Sequence, residues 1–280
     1  MRLLLLGKPV SHSSSPAMHN AALQAAGLAD WRYEATSIEP DRLADAVALV
    51  RSEGVAGANV TVPYKEAIVP WLDGLTPVAH VIGAVNTLVK KEGRLIGHNT
   101  DSAGLLADLH AHDVPLAQRT VLILGAGGAA RSAVAACASF GAKIRVAARR
   151  HEQAEALKAI APVEIEVFGW TPAELRHAGE DCVAMINATP LGMTPHADLS
   201  PWPDGTPFPA DVFVYDLVYN PAETRLTRQA RAAGLRAATG LGMLVEQGAL
   251  AFELWTGQTA PRFLMRQAAE NALSHKDTVA

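Results

Sequence analysis

Short apolar runs alternate with amphipathic stretches along the first hundred residues of the chain. The runs predict strands at residues 3–6, 33–38 and 58–62, and the stretches between them predict helices at 16–26 and 41–51. Two more short runs, at 85–89 and 94–97, flank the turn Lys91-Glu92-Gly93 and predict a hairpin. Because strands that alternate with helices usually form parallel sheets, we expect an α/β domain with a mainly parallel sheet.

The same alternation starts again near Thr120. It predicts a helix at 129–140 and strands at 121–124, 144–148, 163–167, 183–186 and 212–217. After Gly240 the pattern is only helical, through residue 255 and again from 261. We therefore expect two α/β domains, 1–101 and 102–239, and C-terminal helices over 240–280 that return to the first domain.

Composition and charge narrow the function classes. The chain is 49% apolar, enough for a real core, and its net charge of −4 argues against nucleic-acid binding. No apolar run approaches the ~20 residues that a membrane-spanning helix needs. Cys137 and Cys182 lie in apolar stretches and are expected in the core, and the histidines lack metal-ligand spacing. We expect a cytoplasmic, metal-free protein, either a monomer or a homodimer.

The segment VLILGAGGAAR, residues 121–131, has the order of strand, glycine turn and helix that binds a dinucleotide. Gly125 permits the tight turn, Gly127 lets a pyrophosphate approach the backbone, and Ala130 keeps the helix close to the strand. The N-terminus of the helix offers unpaired N–H groups to the phosphates. Glycine turns also serve ordinary packing, but this one stands in the required context, so we expect contacts at Gly125, Ala126, Gly127, Gly128 and Ala129.

The end of the next strand indicates which nicotinamide coenzyme is used. That strand ends Ala147-Ala148-Arg149-Arg150, whereas enzymes that use NAD usually carry Asp or Glu there to bind the ribose diol. Two guanidinium groups suit the 2′-phosphate of NADP. The alternative is a solvated arginine pair in a loop. The sequence favours NADP, bound in part by Arg149 and Arg150.

Three polar segments interrupt the apolar pattern of the first domain. They are Ser11–Pro16, Asn59–Lys65, and Asn86 together with Asn99–Asp101. Hydroxyls at a helix N-terminus can hold a carboxylate, although simple capping needs only one serine. Lys65 is expected in the first turn of a helix, where the dipole disfavours a cation, so it is an odd choice for mere surface charge. Taken singly, each segment is more often an exposed loop than a catalytic element.

Taken together, these segments resemble the shikimate dehydrogenase family. The resemblance rests on Gly7-Lys8-Pro9 and on eight motifs in the family's order: HSSSPAMHN (12–20), NVTVPYK (59–65), AVNT (84–87), NTD (99–101), GAGGAAR (125–131), NATPLGM (187–193), YDLVYNP (215–221) and GLGMLVEQGA (240–249). It implies two α/β domains with a cleft between them, the substrate on the first domain and NADP on a second domain of the Rossmann type. The implied reaction is the reversible reduction of 3-dehydroshikimate to shikimate, a step towards the aromatic amino acids.

The resemblance also assigns roles to single residues. Lys65 and Asp101 match the family's catalytic pair, and Ser13 and Ser15 match the serines that bind the substrate carboxylate. The other matches to substrate-binding positions are Asn59, Thr61, Asn86, Tyr219 and Gln247. Further coenzyme contacts are implied at Thr189, Gly240 and Met243.

The catalytic pair also makes chemical sense by itself. Hydride delivery to a ketone develops an alkoxide, which needs a charged donor or a proton when no metal is present. Lys65 can supply both, and Asp101 can hold the ammonium and bind an adjacent hydroxyl. The sequence leaves open which of the two transfers the proton, because a coupled pair shares its titration.

Two positions depart from the family pattern, and two other functions compete. Ala148-Arg149-Arg150 stands where the family usually has Asn-Arg-Thr, which affects coenzyme preference, and Ser102 stands where Gly is usual after Asn-Thr-Asp. One competing function is a quinate or aminoshikimate dehydrogenase with the same chemistry. The other is a dinucleotide-binding sensor without catalysis, against which the intact Lys65 and Asp101 argue.

Overall fold

The computed structural model describes residues 1–277, and their side chains up to residue 274. The end of the predicted C-terminal segment, residues 278–280, lies outside the described residues. The chain forms two compact units. The first contains Met1–Gly104 and the chain from Leu244 onward, and the second contains Leu105–Met243. The boundaries expected from the sequence were after residues 101 and 239.

The first unit is built on a six-stranded sheet with the order β2-β1-β3-β5-β6-β4. Its strands are β1 (Arg2–Gly7), β2 (Arg32–Ser37), β3 (Val55–Val60), β4 (Gly74–Leu75), β5 (Thr87–Lys91) and β6 (Arg94–His98). β1 pairs in parallel with β2 and β3, and β4 pairs in parallel with β6. β5 is antiparallel to both of its neighbours, β3 and β6, and forms the predicted hairpin with β6.

Helices pack against this sheet, and two of them come from the C-terminal part of the chain. The helices that lie wholly or partly in the first unit are α1 (Ser15–Ala25), α2 (Leu43–Arg51), α3 (Pro77–Ile82), α4 (Asp101–Ala111), α9 (Leu241–Thr256) and α10 (Arg262–Asp277). α10 packs on α1. The indole N–H of Trp255, on α9, donates to the Leu88 carbonyl at 2.9 Å. The expectation that the C-terminal helices return to the first domain is confirmed.

The second unit contains a six-stranded sheet that is entirely parallel. Its strands are β7 (Thr120–Leu124), β8 (Lys143–Ala147), β9 (Ile165–Phe168), β10 (Cys182–Asn187), β11 (Phe213–Asp216) and β12 (Ala237–Thr239). Its other helices are α5 (Gly128–Ser139), α6 (His151–Glu155), α7 (Pro172–Gly179) and α8 (Arg225–Ala232). Read from β9, the sheet order β12-β11-β10-β7-β8-β9 is the 3-2-1-4-5-6 order of dinucleotide-binding folds.

Several short helices were not predicted from the sequence, because their apolar faces are too narrow to give a clear helical pattern. α7 and α8 carry the side-chain caps of Thr171 and Thr224, and Thr171 forms a reciprocal capping box with Glu174. Such caps satisfy N–H groups that a helix leaves unpaired at its start.

Lys65 was expected in the first turn of a helix, but it lies in a series of turns before a short 3-10 helix at Val69–Trp71. Among the described residues no helix is long and apolar enough to span a bilayer.

His19 is the most unusual polar residue in the core of the first unit. Its side chain is fully buried on α1, and its two ring nitrogens have no hydrogen-bond partner within the described structure. The ring stacks on Tyr33 with centroids 4.3 Å apart and planes 9° apart. Burial lowers the pKa of His19 from 6.5 to about 3, because the charged imidazolium would lose its hydration.

This burial predicts a pH-dependent loss of stability. Below about pH 6.5 the unfolded chain protonates His19 while the folded chain keeps it neutral, so the free energy of unfolding falls as the pH drops towards 3. One such group contributes about 1.4 kcal/mol per pH unit across this window. His19→Phe, which retains an aromatic ring against Tyr33, should therefore flatten the pH dependence. Urea titrations at several pH values measure it, and identical slopes in both proteins would contradict the expectation.

Candidate active site

The strand directions bring the polar segments of the first unit to one edge of its sheet. β1 and β3 run in parallel, so the segments that follow Gly7 and Val60 leave the sheet on the same side. β5 runs the opposite way and starts there, with Thr87 opposite Asn59. β6 reverses again and ends there, with His98 opposite Thr87. The polar residues that follow β1, β3 and β6 and precede β5 therefore meet at this edge.

Lys65 and Asp101 form the ion pair at the centre of this edge. The Lys65 ammonium donates to Oδ2 of Asp101 at 2.6 Å, and the two side chains are only 16% and 5% exposed. Asp101 is the first residue of α4, where the helix dipole favours a negative charge. The pair is thus held out of bulk water, where charge–charge interactions are stronger than at a surface.

The amide of Asn86 connects this pair to the rest of the site. Its Oδ1 accepts the backbone N–H of Thr100 at 2.8 Å, which fixes the orientation of the amide because a backbone N–H can only donate. Its Nδ2 then faces three acceptors: Oγ1 of Thr100 at 2.8 Å, Oδ1 of Asp101 at 2.9 Å and Oε1 of Gln247 at 3.1 Å. Four residues predicted for the site, Lys65, Asn86, Asp101 and Gln247, therefore share one network.

Asn59 is also connected to Asn86, but its hydrogen bonds point into the protein. Its Nδ2 donates to the Asn86 carbonyl and to Oγ1 of Thr87, both at 3.0 Å. Its Oδ1 accepts from the Tyr33 hydroxyl at 2.7 Å. Both N–H groups of the Asn59 amide are thus used inside the unit.

The remaining substrate-site residues predicted in the first unit lie at the same sheet edge. Ser13 is half-buried before α1, and its Oγ accepts the backbone N–H of Ser15, the buried first residue of that helix, at 3.1 Å. Thr61 follows β3 directly and is half-buried. Between the two predicted serines, Ser14 buries its hydroxyl without a hydrogen-bond partner in the described residues. Tyr219 lies in the second unit.

Three residues of the network were not predicted from the sequence. Thr87 and Thr100 stand beside Asn86 and Asp101 in the motifs AVNT and NTD, so adjacency was a usable signal. Tyr33 lies on β2 within Arg32–Ser37, where nothing local marks it. It comes to the network only through strand pairing, because β2 pairs with β1 and β1 pairs with β3.

The predicted coenzyme turn joins β7 to α5 in the second unit. Gly125 has φ +112°, a conformation that side chains other than glycine's rarely adopt. A Cβ added to Gly127 would meet no atom within 4 Å, so the backbone is open to a close ligand there. α5 starts at Gly128, with Gly127 as a cap that offers no side chain to the free N–H groups. This geometry fits a dinucleotide pyrophosphate.

Thr189 lies beside the same turn. In the sheet, β7 lies between β8 and β10, and Thr189 follows β10. A Cβ added to Gly125 would lie 3.0 Å from the methyl group of Thr189. The Thr189 hydroxyl donates to Oδ1 of Asn187 at 2.7 Å, and Asn187 in turn donates to Asp216 at 2.8 Å. Burial raises the pKa of Asp216 to about 6. The predicted coenzyme residue is thus anchored to a buried carboxylate.

Arg149 and Arg150 follow β8 and are exposed. β8 is adjacent to β7, so the two arginines follow the strand on the side of the glycine turn opposite Thr189. Gly240 follows β12, and a Cβ there would lie 2.4 Å from the Leu217 carbonyl. Met243 packs on the core of the same unit. All predicted coenzyme residues therefore belong to the second unit.

Two family models match the chain. The model described as the shikimate dehydrogenase substrate binding domain matches residues 5–88, and the one described as the shikimate 5′-dehydrogenase C-terminal domain matches residues 240–270. A shikimate dehydrogenase (NADP(+)) of Symbiobacterium thermophilum is 45% identical over 96% of this chain and 93% of the relative. That of Methanopyrus kandleri is 43% identical over 94% of this chain and 93% of the relative.

Crystal structures of related proteins have a similar fold. Shikimate 5-dehydrogenase of Thermus thermophilus, in complex with NADP(H) and shikimate, has a TM-score of 0.87 at 40% identity and covers 98% of this chain and 100% of that one. The ligand-free 5-ketofructose reductase of a Gluconobacter species has a TM-score of 0.81 at 33% identity, with 97% and 98% covered. A similar fold therefore occurs in a protein named for a different ketone.

The close approach of Gly104 to Gln247 yields a test of how tightly the network is packed. A Cβ on Gly104 would lie 2.7 Å from the backbone nitrogen of Gln247. Alanine gains about 1 kcal/mol of helix propensity over glycine, but forcing backbone atoms apart costs about 1–3 kcal/mol or more. We expect Gly104→Ala to lower the free energy of unfolding by about 1–2 kcal/mol in urea titrations. The exposed neighbour Ala103, changed to Ser, is the control, and a more stable Gly104→Ala protein would contradict the expectation.

Proposed function

The chain belongs to the shikimate dehydrogenase family, and we propose that it reduces 3-dehydroshikimate to shikimate, reversibly, with NADPH. The first unit, with the C-terminal helices, binds the substrate in this proposal, and the second binds the coenzyme. The observation that carries it is the buried pair Lys65–Asp101, held with Asn86 and Gln247 in one network. Each of these four residues stands in one of the family's motifs, as do Thr87 and Thr100 beside them.

The hydrogen bonds of Asp101 support a division of roles within the catalytic pair. Its Oδ1 accepts from the Asn86 amide and its Oδ2 accepts from Lys65, so both oxygens serve as acceptors. That pattern suits an ionised carboxylate beside an ammonium. We therefore assign the proton to Lys65 and the orienting charge to Asp101.

NADPH supplies the hydride that adds to the carbonyl carbon of the substrate. As negative charge develops on the carbonyl oxygen, the Lys65 ammonium stabilises it and transfers a proton to it, which yields the alcohol. Asp101 keeps Lys65 in place and accepts a hydrogen bond from the neighbouring ring hydroxyl. In the reverse direction the neutral Lys65 amine takes the hydroxyl proton.

Other groups of the first unit bind the ring and its carboxylate in this proposal. Ser13 and Ser15, at the N-terminus of α1, offer hydroxyls where the helix dipole also favours an anion. Thr61 and Gln247 bind ring hydroxyls with Asn86, and Tyr219 is assigned to the carboxylate and nicotinamide from the family motif. Asn59 was assigned to the ring with them, but its inward hydrogen bonds support a role in holding Asn86.

The coenzyme assignment rests on the glycine turn and on the arginines after β8. Gly125, Gly127 and the start of α5 suit the pyrophosphate, with Ala126, Gly128 and Ala129 completing the turn. Thr189, Gly240 and Met243 are proposed to line the rest of the coenzyme site. Arg149 and Arg150 are proposed to bind the 2′-phosphate, because both are exposed and no Asp or Glu stands between them and the strand.

Two wider aspects of the proposal concern the protein in the cell. We place it in the cytoplasm, which is supported by its two buried cysteines, both free thiols. We expect a monomer or a homodimer. Sedimentation equilibrium of the purified protein decides between these two states.

The proposed reaction is tested by a turnover assay. The wild-type protein should oxidise shikimate with NADP, and its kcat/KM for shikimate should exceed that for quinate. Lys65→Ala should lower kcat by roughly 10²–10³-fold with little change in shikimate binding, because it removes a donor used mainly in the transition state. Equal use of quinate would overturn the shikimate assignment, and a fully active Lys65→Ala enzyme would remove Lys65 from the mechanism.

Coenzyme preference has its own test. A charge-assisted contact to a partly hydrated phosphate is worth about 1.5 kcal/mol, so Arg149→Ala should raise KM for NADPH roughly tenfold and leave KM for NADH nearly unchanged. Arg150→Ala should act in the same direction more weakly, and added salt should mimic both changes. Arg228→Ala, an exposed arginine on α8 of the same unit, is the control. Equal weakening of both coenzymes would show that the arginine pair does not read the phosphate.

A further inference from the structure

Tyr33 is buried and belongs to none of the sequence motifs, yet it stands at the start of a continuous hydrogen-bond chain. Its side chain is 2% exposed, and its ring is held by stacking on His19. Its hydroxyl is 2.7 Å from Oδ1 of Asn59. What this hydroxyl can do depends on which way the Asn59 amide faces.

Two backbone groups fix the directions of the chain. The carbonyl of Asn86 can only accept, so the nitrogen of the Asn59 amide must face it, and Oδ1 must face Tyr33. Tyr33 is therefore the donor. The N–H of Thr100 can only donate, so Oδ1 of Asn86 must face it, and Nδ2 must face Asp101.

Thr87 joins the two amides. The second N–H of Asn59 donates to Oγ1 of Thr87 at 3.0 Å, which leaves the hydroxyl proton of Thr87 free to donate to Oδ1 of Asn86 at 3.1 Å. Thr87 is completely buried, so no bulk water competes for this proton. Its other hydroxyl neighbour, Oγ1 of Thr100 at 3.3 Å, already accepts from Nδ2 of Asn86 at 2.8 Å and can direct its own proton to Oγ1 of Thr87. The donors then run in one direction, from Tyr33 through Asn59, Thr87 and Asn86 to Asp101.

We propose that Tyr33, Asn59 and Thr87 are positioning residues that hold Asn86 and, through it, Asp101 for the substrate. This inference rests on the proposed function, because it concerns the same catalytic pair. Both N–H groups of Asn59 are occupied within the chain, as is one lone pair of its oxygen. Asn59 therefore acts on the substrate through Asn86 and not by donating to it.

A double-mutant cycle tests the chain. Tyr33→Phe keeps the ring against His19 and removes only the hydroxyl, and Thr87→Val removes the joining hydroxyl. Losing one buried hydrogen bond corresponds to about a five- to tenfold effect, so each single variant should lower kcat/KM for shikimate by that factor and leave KM for NADP unchanged. If both act through the same chain, the double variant should be little worse than the less active single variant.

Tyr64→Phe provides the matched control. Tyr64 is buried in the same unit, and its hydroxyl donates to the backbone carbonyl of Ile38, which is not part of the chain. Its effect should multiply with that of Thr87→Val. Multiplication of the effects of Tyr33→Phe and Thr87→Val, or a rise in KM for NADP equal to that for shikimate, would overturn the proposal.

A second readout does not require turnover, so it separates failure of this inference from failure of the proposed reaction. The side-chain amide protons of Asn86 can be followed by NMR as they exchange with solvent. Tyr33→Phe should speed their exchange roughly tenfold, and Tyr64→Phe should not, because only the former releases the chain that holds Asn86. Unchanged exchange in Tyr33→Phe overturns the positioning role, whereas a wild-type enzyme without shikimate turnover overturns only the reaction.

Discussion

The polar site of the first unit depends on the side-chain amide of Asn86, which must donate to Asp101 and accept from Thr100 at the same time. An amide rotated by half a turn would set its nitrogen against a backbone N–H and its oxygen against a carboxylate, and both contacts would be repulsive. The backbone N–H of Thr100 excludes that rotation. Because Lys65 is held by the same carboxylate, the orientation of one uncharged side chain governs the placement of the two charges that the proposed reaction uses.

The sheet makes this arrangement possible. An all-parallel sheet would carry the segment before β5 to the opposite edge, away from Asp101. The hairpin of β5 and β6 reverses the chain, so Asn86, at the start of one strand, meets Asp101, just after the end of the next. The second unit needs no such reversal. Its glycine turn and Thr189 both follow parallel strands, and its six strands have the order expected of a dinucleotide-binding fold.

These differences explain how far the sequence could lead. The apolar runs gave the alternation of strands and helices in both units, and the glycine turn at Gly125 was recognisable from local spacing alone. Lys65, Asn86 and Asp101 were recognisable only as parts of motifs, because no periodic pattern relates positions that meet through strand pairing. Tyr33 could not be found in this way. Its signal is the register of three strands, and single-sequence patterns do not fix register between strands that are distant in the chain.

The similarity to a 5-ketofructose reductase separates what the fold provides from what selects a substrate. Reduction of any ketone by a nicotinamide needs a hydride donor on one side and a proton donor at the oxygen, and a buried Lys–Asp pair meets the second requirement whatever ring carries the ketone. Selection must come from groups that contact the rest of the substrate. In the proposed site those groups are the hydroxyls before and at the start of α1 and the amide of Gln247. Shikimate has a carboxylate, which the proposed contacts of Ser13 and Ser15 would bind beside the N-terminus of α1, and a ketose without a carboxylate would not make these charge-assisted contacts. Because a hydrogen bond to a charged group contributes more than one to a neutral group, the proposed serine contacts favour a carboxylate-bearing ketone over a neutral one.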